Sequence, residues 1–127
     1  MFKVKNIARL MTGKKGEVLA KSYLVKNGYQ ILETNYRCPL GEIDLIARDG
    51  QDLVFVEVKT RTSRELGYPE QAVGAKKQRK ISQLALFYLQ QKNLINTGVR
   101  FDVVAVTIAG ASPEIKLIKN AFDFMGA

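Results

Sequence analysis

The stretch GEIDLIARDGQDLVFVEVKT, residues 41–60, decides the fold. Residues 42–48 and 53–59 read as strands, the second given β-branched bulk by Val54, Val56 and Val58. Between them stands Asp49-Gly50, a dipeptide that favours a tight hairpin. Taken as a two-residue turn, Asp49-Gly50 sets Arg48 opposite Gln51, Asp44 opposite Phe55 and Glu42 opposite Glu57. Side chains alternate faces along a strand. Glu42, Asp44 and Ile46 therefore share a face with Leu53, Phe55, Glu57 and Lys59. Ile43, Leu45, Ala47, Val54, Val56 and Val58 form the opposite face, which is wholly apolar and must be core.

On this reading three carboxylates and one lysine converge at one end of a sheet face. Glu57 is diagonal to Asp44, at roughly 7–8 Å between Cβ atoms, so both carboxylates reach one ion between them. Mg²⁺ takes oxygen ligands at about 2.0–2.1 Å and keeps one or two carboxylates plus water and phosphate oxygens. The alternative is a solvated strip on which Glu42 and Lys59 pair electrostatically. Ile46, Leu53 and Phe55 weigh against it for the group, because charges at the end of a buried face are costly unless paired or functional. Glu17, on a helix upstream, either pairs with Lys21 at i+4 or leans over the same site.

Outward from the hairpin, Thr12 is a candidate cap for a helix that runs to about Asn27, with Val18, Leu19, Tyr23 and Leu24 as its apolar positions and Gly28 as its stop. Residues 29–36 alternate as a strand. Residues 60–68 are polar and read as a loop. Pro69 opens a helix to about Lys92, with Val73, Ile81, Leu84, Ala85 and Tyr88 toward the core and Gly74 in its first turns. Residues 99–108 form a Val-rich strand, and residues 115–118 a short final one. The fold class is α/β, a mixed β-sheet flanked by helices in the order α-β-β-β-α-β-β. No repeat or linker divides the 127 residues, so one domain over 1–127 is the simplest account.

Composition narrows the chemistry. The chain carries 20 Lys and Arg against 12 Asp and Glu, a formal net charge of +8. Such an excess favours a polyanionic partner, nucleic acid before membrane, because no basic helix with bulky apolar residues opposite is evident. There is no histidine, which excludes Ser-His-Asp and Cys-His nucleophiles and histidine zinc sites. Catalysis has to use carboxylates, Lys, Tyr, Ser or a metal held by oxygen. Cys38 is the only cysteine, and the first residues lack the apolar run of a signal peptide, so a cytoplasmic protein is expected. Arg61 and Arg64 follow Lys59, and Gln71, Lys76, Lys77, Gln78, Arg79 and Lys80 cluster at the second helix. Together they suit phosphates flanking a scissile one, although Lys77 and Lys80 taken singly read as a solvated helix face. A second basic group, Lys3, Lys5, Arg9, Lys14 and Lys15, precedes or opens the first helix.

The pair of segments 41–47 and 55–61, with Asp44 upstream of Glu57-Val58-Lys59 and a trailing Thr60-Arg61, resembles the PD-(D/E)XK nuclease superfamily. This is the restriction-endonuclease-like fold. Within it the chain is similar to the YraN family, itself similar to Holliday-junction resolvases. The resemblance runs from Gly16-Glu17 to Phe101-Asp102, and Ile43 stands where the superfamily motif has Pro, a departure that many members share. It implies an endonuclease that hydrolyses DNA phosphodiester bonds with Mg²⁺, or Mn²⁺ in its place. Asp44 and Glu57 would hold the metal with the Val58 carbonyl. Lys59 would orient or deprotonate the attacking water, and Glu17 would add a metal or water contact. Resolvase-like enzymes cut two symmetric strands, so a homodimer is expected by analogy. Two further readings predict different things. A nucleic-acid-binding module without cleavage would bind no metal. A scaffold for other proteins would expose an apolar patch around residues 121–125.

Overall fold

The computed structural model describes residues 4–62 and 73–126. Helix α1 (Val4–Lys26) leads into three strands, β1 (Gln30–Cys38), β2 (Gly41–Asp49) and β3 (Asp52–Arg61). Helix α2 (Ala75–Gln91) then returns the chain to β4 (Val99–Thr107) and β5 (Glu114–Phe122). The sheet order is β1-β2-β3-β4-β5. Only β3 and β4, joined through α2, run parallel; the other neighbours are antiparallel. The element order is the expected one.

The sheet has a helix on each side. Ala20 and Leu24 of α1 pack on Leu45, Ala47, Val54, Val56, Val104 and Val106. Ile81, Leu84, Ala85, Tyr88 and Leu89 of α2 pack on Ile46, Leu53, Phe55, Phe101 and Val103. These two apolar sets are alternate residues of the same strands, as a sheet buried on both faces requires. Tyr88 sits edge-on to Phe55 and Tyr36, at ring separations of 5.8 and 5.1 Å.

Four boundaries differ from expectation. Helix α1 starts at Val4 because residues 4–11 contain no Gly or Pro to stop it, so Thr12 lies inside the helix instead of capping it. Its contact stripe is Gly16, Ala20 and Leu24, while Val18 is 67% exposed. Small residues win this stripe because α1 runs close to the sheet. A Cβ on Gly16 would overlap the Thr60 hydroxyl and lie 2.8 Å from the Thr60 Cβ. Helix α2 begins at Ala75 with Gly74 as its N-cap, so Gly74 stands outside the helical turns. Strand β3 continues to Arg61, past the expected loop start. Strand β5 spans nine residues, well beyond the predicted four. Pro69 lies outside the described residues.

The hairpin register is also corrected. Asp49 pairs with Asp52 and Arg48 with Leu53, so the two-residue loop is Gly50-Gln51, not Asp49-Gly50. Gly50, at φ 63°, occupies the first loop position, where a positive φ suits glycine. The opposed Asp49 and Asp52 would repel, but the Arg100 guanidinium spans them at 2.8 and 3.4 Å. A slip of two residues keeps every side chain on its face, so the layering survives the changed partners.

Ile43 and its neighbour Glu42 do change face. Ile43 packs with Ile46 on the α2 side, not with Leu45 and Ala47 on the α1 side. The alternation breaks beside Asp44, where the β2–β3 ladder ends at Leu45↔Val56. In the neighbouring β1, Asn35 adopts φ 53°, and beyond it Tyr36 joins Ile43 on the α2 side.

Candidate functional site

The break in β2 creates the site. Past Leu45 the β2 backbone no longer pairs with β3, and the Asp44 carboxylate fills the gap. Its Oδ2 accepts the Val58 N–H at 2.8 Å. Side chains from two elements meet there. Carboxylate oxygens of Glu17 on α1 and of Glu42 and Asp44 on β2 lie within 4.8 Å of one another. In an octahedral Mg²⁺ shell with oxygens at about 2.1 Å, adjacent oxygens stand about 3 Å apart, so these three carboxylates would have to draw closer together to share one ion.

Helix α1 can deliver Glu17 because Gly16, next to it, lets the helix rest against Thr60 of β3. The Asn35 amide acts on Glu17 to offset part of the rise in its pKa, and Arg37 holds Glu42 at 3.3 Å. The expected face-to-face meeting of Glu42 with Glu57 does not occur; the corrected hairpin and the break at Asp44 turn Glu42 toward Arg37 and Glu17.

Glu57 lies beside the triple, 7% exposed. Two lysines approach its Oε1, Lys59 from the same strand at 3.8 Å and Lys77 from α2 at 3.6 Å. Burial, with the Asp44 charge adding to it, pushes the Glu57 carboxyl up to about 7 against the pull of the two lysines. Burial likewise raises Asp44, offset in part by the Val58 N–H. Glu17 is raised too, by burial and then by the Asp44 charge. Carboxylates that push one another upward at the end of a packed sheet form a locus short of positive charge. All its donors are oxygens, the set that hard divalent cations take.

The basic residues flank this locus. Lys76, Lys77, Arg79 and Lys80 line an open cleft along the first turns of α2 with Gly74 and Gln83. Gln78 turns inward, donating to the Val73 carbonyl at 2.9 Å. Arg61 Nε donates to Thr107 Oγ1 at 3.2 Å, which fixes the end of β3 to β4. Arg64 and Gln71 lie outside the described residues. Of the segment expected to be exposed in a scaffold, Phe124 is 48% exposed, yet its ring stacks on Phe101 at 6.4 Å. No described helix is long and apolar enough to cross a membrane.

Sequence reasoning missed three features. Lys77 reaches Glu57 only because of how α2 lies on the sheet, a tertiary fact. Asn35 carried a weak signal, since Asn is among the few residues that tolerate positive φ. The third is a polar network at the far end of the sheet. There Asp102, fully buried, accepts from Tyr29 at 2.7 Å, from Arg100 at 2.9 Å and from the Asn120 N–H at 2.9 Å. The hydrogen bond from Arg100 holds Asp49 below the usual carboxylate range.

Comparison with known proteins places this arrangement. A UPF0102 protein of Syntrophus aciditrophicus is 56% identical over 114 residues, covering 90% of each chain. One from Geobacter metallireducens is 51% identical over 111 residues, covering 87% of this chain and 91% of its own. Among solved structures, Pyrococcus furiosus SfsA in complex with Ca²⁺ is similar at 15% identity and a TM-score of 0.39, over 88% of this chain and 63% of that one. A likeness that weak bears on neither site nor activity. Residues 16–106, from the helix glycine beside Glu17 to the core of β4, match the model of "Uncharacterised protein family UPF0102". That span takes in every candidate site carboxylate and both lysines, and with relatives this similar over most of their length the chain belongs to UPF0102, the family to which the YraN resemblance pointed.

Proposed function

We propose that the protein is a cytoplasmic, divalent-metal-dependent endonuclease, one that hydrolyses DNA phosphodiester bonds in branched or otherwise structured substrates. The observation that carries this reading is the meeting of the Glu17, Glu42 and Asp44 carboxylates beside the buried Glu57, whose acidity the Asp44 charge shifts to higher pKa, with Lys59 against Glu57, on a chain of net charge +8. Asp44 and Glu57, with Glu17 and the Val58 carbonyl, would hold Mg²⁺ or Mn²⁺. Once bound, the ion lowers the pKa of coordinated water and neutralises the phosphate.

The chain's own residues divide the remaining work. Lys59, 35% exposed at the side chain, stands where its ammonium can orient a water for in-line attack and meet charge that builds on the phosphate oxygens. Glu57 must be ionised to bind a cation, which its elevated pKa makes a matter of neutral pH. Arg61, Lys76, Arg79 and Lys80, with Arg64 and Gln71, would grip flanking phosphates and set register without reading base identity. Affinity for DNA should therefore fall steeply with salt.

The test is a panel of linear, nicked, flapped, single-stranded and four-way DNAs incubated with Mg²⁺ or with EDTA. Cleavage should appear with Mg²⁺ only. Glu57→Ala and Lys59→Ala should each reduce it by at least about 10³-fold, some 4 kcal/mol in the barrier, while circular dichroism stays native. Activity that survives both substitutions sinks the assignment. Binding of DNA with no heat of Mn²⁺ binding and no cleavage would favour a binding module of the same fold.

A further inference from the structure

Lys77 is tied to the site by geometry that its place in the basic cluster does not require. It stands in the first turn of α2, on a different element from Glu57, and its side chain is 46% exposed. An exposed lysine would ordinarily keep its ammonium in water, where hydration is strongest. Instead the Nζ comes to 3.6 Å from the buried Glu57 carboxylate, slightly nearer than Lys59 at 3.8 Å. Lys77 lines the exposed cleft together with its neighbours Lys76, Arg79 and Lys80. One cation of the α2 cluster thus borders the cleft and at the same time lies against a carboxylate that the proposed function assigns to the metal.

We infer, building on that proposed function, that Lys77 is a placeholder: its ammonium neutralises Glu57 until a divalent ion arrives, and is then released to the substrate phosphate. The exchange is electrostatically balanced. Glu57 trades a monovalent partner for a divalent one, and the freed ammonium, still on the helix that lines the phosphate cleft, takes an anionic partner there. Lys59 is held differently, two residues along the same strand as Glu57, so its approach is fixed by the strand. Lys77 approaches on a flexible stem from a helix and can withdraw. The role is that of a positioning residue that couples metal entry to phosphate binding.

The inference is read by calorimetric titration of Mn²⁺ into the metal-free protein, with no DNA present. Lys77→Met keeps the aliphatic stem and removes the competing charge, so Mn²⁺ should bind about tenfold more tightly. Lys77→Arg keeps the charge and should bind Mn²⁺ as the wild type does. Lys26→Met makes the same charge change nine residues beyond Glu17 on α1, about 13 Å away, and should leave the affinity unchanged. The second readout is DNA binding with Ca²⁺ present, where Lys77→Met should lower the salt slope by about one. A Lys77→Met protein that binds Mn²⁺ no tighter than wild type, or only as much tighter as Lys26→Met, overturns the placeholder and leaves the nuclease reading standing. Absence of Mn²⁺ binding by wild type and variants alike overturns both.

Discussion

Two polar clusters of opposite kinds lie along β3, one at Asp52 and one at Glu57. They lie five residues apart, roughly 17 Å along the strand. At the Asp52 end, Arg100 bonds Asp102, Asp49 and Tyr29, Lys119 approaches Asp49, and each of these side-chain contacts is 3.4 Å or shorter. At the Glu57 end, Glu17, Glu42 and Asp44 crowd together, and among the described residues lysines at 3.6 and 3.8 Å offset Glu57. The first cluster is complete within the chain. The second is complete only if something positive is added. The contrast is visible in acidity: Asp49 is held low, while Glu17, Asp44 and Glu57 are all pushed up. A cluster that lowers its carboxyl pKa is holding the fold together, and one that raises it is holding charge in readiness.

Breaking the closed end should have the largest effect. Arg100→Met leaves Asp102 buried with only the Tyr29 hydroxyl and the Asn120 N–H as donors and exposes the repulsion between Asp49 and Asp52. Removing one partner from such a network costs roughly 3–5 kcal/mol. Urea denaturation should show this loss, and Arg100→Met/Asp102→Leu should recover part of it. A loss under about 1 kcal/mol would mean that the network is not what closes this end of the sheet.

The open end should respond with the opposite sign. The folded-state pKa of Glu57 is about 7, above its ordinary 4.5. Between those values the folded protein holds a proton that the unfolded chain has released. Stability of the metal-free protein therefore falls as pH rises from about 4.5 to about 7 and levels off above. The span corresponds to roughly 3 kcal/mol. Glu57→Gln should remove most of that slope and raise the denaturation midpoint at pH 8, as should saturating Mn²⁺ for the wild type. Asp49, with its pKa lowered, contributes stability that is present above its ordinary pKa and lost on acidification. Denaturation curves at pH 5, 6, 7 and 8 isolate the Glu57 effect. A slope that survives Glu57→Gln would assign the effect to another carboxyl.

The same contrast explains what could be read in the residues alone. Faces were legible because they depend on parity: the hairpin loop is displaced by two residues, yet Ile46, Leu53 and Phe55 still meet α2, and Leu45, Val54 and Val56 still meet α1. Cross-strand partners were not legible, since the Asp49–Asp52 closure depends on Arg100, about fifty residues away in the chain. Ile43 was misplaced because a break in alternation at Asp44 leaves no mark in an apolar run. Arg100 and Asp102 were hidden inside a Val-rich strand, although their i, i+2 spacing sets them on one face. Glu17 and Glu57 were visible as residue types at motif positions, whereas the reach of Lys77 depends on the seating of α2.

Asn35 is the smallest lever on the comparison and separates two of its causes. Its φ of 53° resets the alternation of β1, and its amide offsets part of the rise in the Glu17 pKa. Asn35→Gly keeps the backbone conformation available and removes only the amide. Asn35→Ala removes the amide and also forces a β-carbon into the left-handed region, at a cost of about 1–2 kcal/mol. The difference in stability between the two variants therefore measures the backbone, and the difference in Mn²⁺ affinity between wild type and Asn35→Gly measures the amide. We expect Asn35→Gly to be within about 0.5–1 kcal/mol of wild-type stability and to shift Mn²⁺ affinity by a few-fold at most, because a freed Glu17 still faces Asp44. If Asn35→Gly instead loses Mn²⁺ binding outright while remaining folded, the amide is what keeps Glu17 in the site, and the open end is more tightly built than its raised acidities suggest.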